Sequence, residues 1–135
     1  MRVVVDTSAA VKWFAPEAGA GDALSLLEGE ADFIVPDVFP LELASALLRK
    51  ERRGELIPGT ARRALRDLDQ AKFAMVPHGP LLDAATSLAS DHRHGVYDCL
   101  FLLIARDRDA PVATFDAPMA ALARRLGIRL WAPNT

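Results

Sequence analysis

The chain has a single cysteine, Cys99, so an internal disulfide is excluded. Cys99 opens the apolar run Cys99-Leu100-Phe101-Leu102-Leu103-Ile104-Ala105 and reads as a small buried thiol. No apolar stretch reaches the roughly 20 residues that a membrane-crossing helix needs. The N-terminus also lacks a basic segment followed by an apolar core and a cleavage site. These absences imply a cytoplasmic protein with no membrane attachment. Neither charge sign dominates, since 16 Lys and Arg against 18 Asp and Glu leave a formal charge of −2. That balance does not announce a nucleic-acid binder, although acids gathered in one site would mask a basic rim elsewhere. A Gly-rich phosphate loop ending in Lys-Ser or Lys-Thr is missing, which argues against a nucleotide-binding ATPase. No repeat, linker or low-complexity segment interrupts the 135 residues.

What is present is a chain 51% hydrophobic with a charged quarter, the composition of a globular protein. The length suits one domain, residues 1–135, with one sizeable core. Val3-Val4-Val5 is β-branched on both faces, as a central parallel strand covered by helices requires. Asp6 ends that strand, and Thr7 and Ser8 are placed to cap a helix from Ser8 to Trp13. Further helices are expected over 18–28, from Asp37 to the basic group before Gly54, over 58–71, 80–91, 97–107 and 118–126. Strands are expected over 32–35, 73–76, 111–114 and 128–131. The helix after Asp37 carries Leu41, Leu43, Ala44, Leu47 and Leu48 as its apolar stripe. Strands alternating with one or two helices point to a three-layer α/β/α domain with a mainly parallel sheet of four or five strands.

Four acids sit at the ends of these elements. Asp6 and Asp116 each follow a strand-like run, and parallel strands end on one edge of the sheet, where open α/β folds collect ligands. In isolation either acid also suits a turn or a helix cap. Glu42 lies among core-type residues in an early helical turn, where a negative charge is favourable in its own right. Asp98 heads a helix that is apolar all round, so its carboxylate needs a cap or a cation. Carboxylates converging on one crevice repel and raise each other's pKa unless a cation joins them. Hard oxygen ligands of this kind suit Mg²⁺ or Mn²⁺.

The segments VVVDTSA, PLELASAL, YDCLFLLIA and ATFDAPM, in this order and spacing, resemble the four acidic motifs of the PIN-domain ribonucleases. The size is similar to that of the VapC-type toxins of bacterial toxin–antitoxin pairs, and the resemblance runs from Val3 to about Trp131. It implies a PIN-like fold and an endoribonuclease using Mg²⁺ or Mn²⁺ held by Asp6, Glu42, Asp98 and Asp116. It also implies products with a 5′-phosphate and a 3′-hydroxyl. Ser8 and Thr114 match small polar positions that help hold the site. Ser45 stands where family members often have Asn, three residues after the helical Glu. The partners implied are RNA, a small antitoxin that covers an apolar groove and inserts a basic residue, and a second copy in a homodimer. Phe39, Leu43 and Leu47 are the apolar positions available either to a dimer face or to a core.

Arg49, Lys50 and Arg53, with Arg52, are candidates for phosphate contacts and equally suit the C-terminal end of a helix. His92 and His94 precede Asp98 without the spacing of a metal pair. A phosphatase of the haloacid-dehalogenase type is disfavoured, because it needs a second Asp where this chain has Ser8. The alternative is a PIN-like RNA- or protein-binding module with weak catalysis.

Overall fold

The computed structural model describes residues 1–133. Four strands, β1 (Arg2–Val5), β2 (Asp32–Pro36), β3 (Phe73–Val76) and β4 (Val112–Ala113), form a sheet in the order β3-β2-β1-β4. Every pairing is parallel. The order arises because the chain steps from β1 through β2 to β3 and then returns to the far side of β1. The strand order therefore reverses between β1 and β4, the position at which open parallel sheets bind ligands.

Val3, Val4 and Val5 are all fully buried. Successive side chains of a strand point to opposite faces, so helices cover both sides of β1. Among the described residues seven helices flank the sheet: α1 (Thr7–Val11), α2 (Ala20–Glu28), α3 (Phe39–Arg52), α4 (Thr60–Asp67), α5 (Leu82–His92), α6 (Val96–Asp107) and α7 (Ala117–Arg125). Helix α6 lies against β1, β2 and β4, and its residues Cys99 to Ala105 are all buried, as the unbroken apolar run requires. Trp13, Phe33, Phe73, Phe39 and Phe101 form a continuous chain of rings, with centroids 5.2–6.4 Å apart. Trp13 Nε1 donates to Ala23 O at 2.8 Å, so the one polar atom of this packed indole is satisfied.

Several boundaries differ from expectation for local reasons. The first helix stops at Val11 and the helix begun at Thr60 stops at Asp67, where Leu68 turns extended and a 3₁₀ turn (Gln70–Lys72) leads into β3. The segment 128–131 is not a strand; it meets the sheet through a single parallel bridge, Val112 to Leu130. Asp37 does not cap α3 and instead binds His78, accepting from its backbone N–H at 3.2 Å and lying 2.7 Å from Nδ1. Within α3 only Phe39, Leu43 and Leu47 are buried, whereas Leu41 and Leu48 are exposed. Phe39, Leu43 and Leu47 are thus core residues and give no dimer surface. The tight approach of the loop before α2 to Phe115 depends on Gly19, whose φ is +88° and whose missing Cβ would lie 2.7 Å from the Phe115 ring.

Candidate metal centre

The end of β1 delivers Asp6 into the space between α1 and β4. Its carboxylate is only 3% exposed, the one buried charged residue among those described. Two hydroxyls hold the same oxygen: Ser8 Oγ donates to Asp6 Oδ2 at 2.7 Å and Thr114 Oγ1 at 2.9 Å. Ser8 and Thr114 lie 3.3 Å apart. Phe115 N–H donates to Ser8 Oγ and Asp116 N–H to Thr114 Oγ1, which fixes both hydroxyls in turn. Thr7 and Ser8 therefore do not cap α1, as the sequence led one to expect; α1 has no side-chain cap. Ser8 serves Asp6, and Thr7 Oγ1 donates to Glu42 Oε1 at 3.2 Å.

Glu42 comes from the first turn of α3, Asp98 from the first turn of α6, and Asp116 from the N-cap of α7. Asp116 performs the capping role, with Oδ2 accepting from Met119 N–H at 2.9 Å, and also faces the cavity. All four acids line one open cavity of about 620 Å³, together with Thr7, Ser8, Ser45, Arg49, Leu41 and Tyr97.

The electrostatics express their proximity. Burial raises the pKa of Asp6, and the charge of Asp98 raises it further, against the hydrogen bonds from Ser8 and Thr114. Glu42 is pushed up to about 7, chiefly by burial, with Asp6 and Asp98 adding to the rise. Burial likewise raises Asp98, partly offset by its bond to His94, with Asp116 adding to the rise. Among the described residues no ion pair joins Asp6, Glu42 or Asp116 to a cation. One buried acid and three half-buried ones that repel one another form a site whose fully ionised state a cation would stabilise.

His94 is the member that the sequence pattern did not bring forward. Its Nε2 lies 2.8 Å from Asp98 Oδ2. Ligand-type atoms of His94, Asp98 and Asp116 all lie within 4.8 Å of one another. Residues 94 and 98 stand one helical turn apart, a neighbour relation obscured because α6 starts only at Val96. A histidine four positions before an acid at a helix start is the signal that could have found it. His92 is instead the last residue of α5.

Ser45 Oγ accepts from Arg49 Nη1 at 3.1 Å on the cavity-lining side of α3. Lys50 is held elsewhere, 2.8 Å from Glu17 and 3.9 Å from Glu55. Arg53 is the C-cap residue of α3 and is exposed. Of the four cations singled out from the sequence, Arg49 alone lines the cavity.

A parallel α/β sheet with an acidic, cation-seeking cavity at its strand reversal is the class that this geometry defines. Residues 3–125 match the model of the PIN domain family, and the chain belongs to it. PIN domains are typically metal-dependent nucleases. The solved structure of PAE2754 from Pyrobaculum aerophilum is similar, with a TM-score of 0.66 and 21% identity, covering 90% of this chain and 86% of that one. At that identity the likeness is one of fold. No curated protein matches the sequence.

Proposed function

We propose that the chain, as one PIN domain over residues 1–135, is a metal-dependent endoribonuclease and the toxin of a toxin–antitoxin pair. The observation that carries the nuclease reading is the burial of Asp6 without a cationic partner, in a cavity shared with Glu42, Asp98 and Asp116. The donor set fits Mg²⁺ or Mn²⁺: carboxylate oxygens suit either ion, and an imidazole nitrogen is acceptable to Mn²⁺. Asp6, Glu42, Asp98 and Asp116 would hold the ion, with His94 orienting Asp98 or binding directly. When bound, such an ion activates water and stabilises charge on a phosphodiester undergoing in-line displacement.

The protein's own groups set up that chemistry. Ser8 and Thr114 fix the direction of the Asp6 carboxylate, and Thr7 fixes Glu42. Arg49 supplies a positive charge on the cavity wall for a phosphate. Hydrolysis then leaves a 5′-phosphate and a 3′-hydroxyl, with no covalent enzyme intermediate on Ser8 or Cys99. The toxin reading rests on the chain's small single-domain size, which is similar to that of the VapC-type toxins. It brings with it a small antitoxin partner, a homodimer and a cytoplasmic setting.

The test is titration of Mn²⁺ into the partner-free protein and its Asp98→Asn variant by calorimetry, with cleavage of a broad RNA panel in parallel. Metal binding and cleavage that both weaken in the variant support the reading. Absence of both in the unaltered protein overturns it in favour of a non-catalytic binding module.

A further inference from the structure

Two apolar side chains stand at the acidic cavity where polar ones would be expected. Leu41 is 70% exposed and Tyr97 is 50% exposed, and both line the cavity. A lone exposed apolar residue needs no explanation, but two converging on one polar cavity mark a contact surface. Each directly precedes one of the acids, Glu42 or Asp98, and each occupies the first turn of a helix anchored in the core. In α6 the seven residues from Cys99 to Ala105 are buried, so the backbone that carries Tyr97 is fixed. The cavity also has more room than an ion needs: a water occupies about 30 Å³, and the cavity measures about 620 Å³. Arg49 adds a cation to the same wall.

We infer that the exposed Tyr97 ring, with Leu41 lining the same cavity, is a stacking platform for one unpaired nucleobase next to the phosphodiester at the acidic site. The inference rests on the nuclease reading above and adds the side chain that would position the strand. An aromatic face can receive a base only after that base has left its own stack, so duplex RNA is disfavoured at this subsite. A carboxylate-lined floor repels free phosphate, whereas a neutral base suffers no such repulsion. The apolar rim therefore takes the base, while Arg49 and the metal site take the backbone. Stacking tolerates every base, so the platform positions the strand with little sequence preference of its own.

The experiment uses the full chain and its Tyr97→Phe, Tyr97→Leu and Tyr97→Ala variants. Single-stranded RNA oligonucleotides carry 2-aminopurine at successive positions, and binding is followed by fluorescence with Ca²⁺ replacing Mn²⁺ to slow hydrolysis. KM and kcat for cleavage in Mn²⁺, and Mn²⁺ affinity by calorimetry, are measured alongside. The expected result is quenching at one or two positions in the unaltered protein and in Tyr97→Phe, lost in Tyr97→Leu and Tyr97→Ala. KM should rise about ten-fold or more in those two variants, with Mn²⁺ affinity unchanged. If the unaltered protein cleaves RNA and Tyr97→Leu matches it in quenching and KM, the platform is overturned while the nuclease reading stands; Tyr97 and Leu41 then face a protein partner. Loss of Mn²⁺ affinity in Tyr97→Leu also overturns it, because Tyr97 would then act through Asp98. RNA neither bound nor cut by the unaltered protein removes both readings. Comparing Leu with Phe keeps the test valid even where Tyr97→Ala fails to fold.

Discussion

Asp6 and Glu42 carry the sharpest consequences of burial at single residues. Glu42 titrates near 4.5 in an unfolded chain and near 7 in the folded one. Between those values the folded protein holds a proton that the unfolded chain has lost, so stability falls as the pH rises from about 4.5 to about 7. Asp6 and Asp98, also raised, act in the same direction. Thermal melts in EDTA should show the midpoint dropping across this range, and saturating Mn²⁺ should flatten or reverse the trend because it binds the ionised acids. A metal-free midpoint that rises over the same range would contradict the assignment. His94 should matter through Asp98: His94→Ala is expected to weaken Mn²⁺ binding about 10- to 100-fold, as loss of a ligand or of its orienting partner does, measured by calorimetry. That the four acids meet in one cavity was legible because each ends or begins an element with a strong apolar signature. The contact of His94 was not, because His94 lies in the connection between α5 and α6 rather than on either helix.

At the scale of elements, periodicity was a good guide where burial follows it. Helix α6, apolar on every face and buried from Cys99 to Ala105, stands within a residue of its expected bounds; β3 keeps its expected bounds as a short apolar run although none of its residues is fully buried. Periodicity misled in α3, where Leu41 and Leu48 continue the leucine pattern yet remain exposed. A sequence cannot tell a leucine that meets the core from one that stays at the surface. The last expected strand failed for a related reason: 128–131 has strand-like residues but only one bridge to β4, which is itself two residues long. Phe101, in contact with Phe39 at a centroid distance of 6.4 Å and fully buried, ties α6 to α3. Phe101→Ala should cost about 3–5 kcal/mol, read by urea denaturation. Gly19→Ala should also destabilise, because the added Cβ meets the Phe115 ring at a backbone φ of +88°. Its size, about 1 kcal/mol or more, is accessible to the same measurement.

At the scale of the whole molecule, the buried hydrophobic residues join into one cluster spanning β1 to Ile128. The acidic cavity is where that core stops at the strand ends. Stability and site are therefore linked: a cation that binds only the folded chain should raise its stability by about 2.7 kcal/mol at a hundred times its Kd. A melting series in Mg²⁺ and in Mn²⁺ would measure this, and no shift with either ion at millimolar concentration would count against the metal centre. Among the described residues no helix is long and apolar enough to cross a membrane.

The hydrogen bond from Thr114 to Asp6 spans 108 residues of chain. A ribosome adding about 5–20 residues per second needs roughly 5–20 s to make that length. Throughout this interval the nascent chain has its first acid but neither Thr114, which helps aim it, nor β4, which closes the sheet beside it. Asp98 and Asp116 follow Asp6 by 92 and 110 residues. The four acids can therefore share one cavity only after synthesis has passed Asp116, so the acidic site is assembled long after β1 has left the ribosome's active centre.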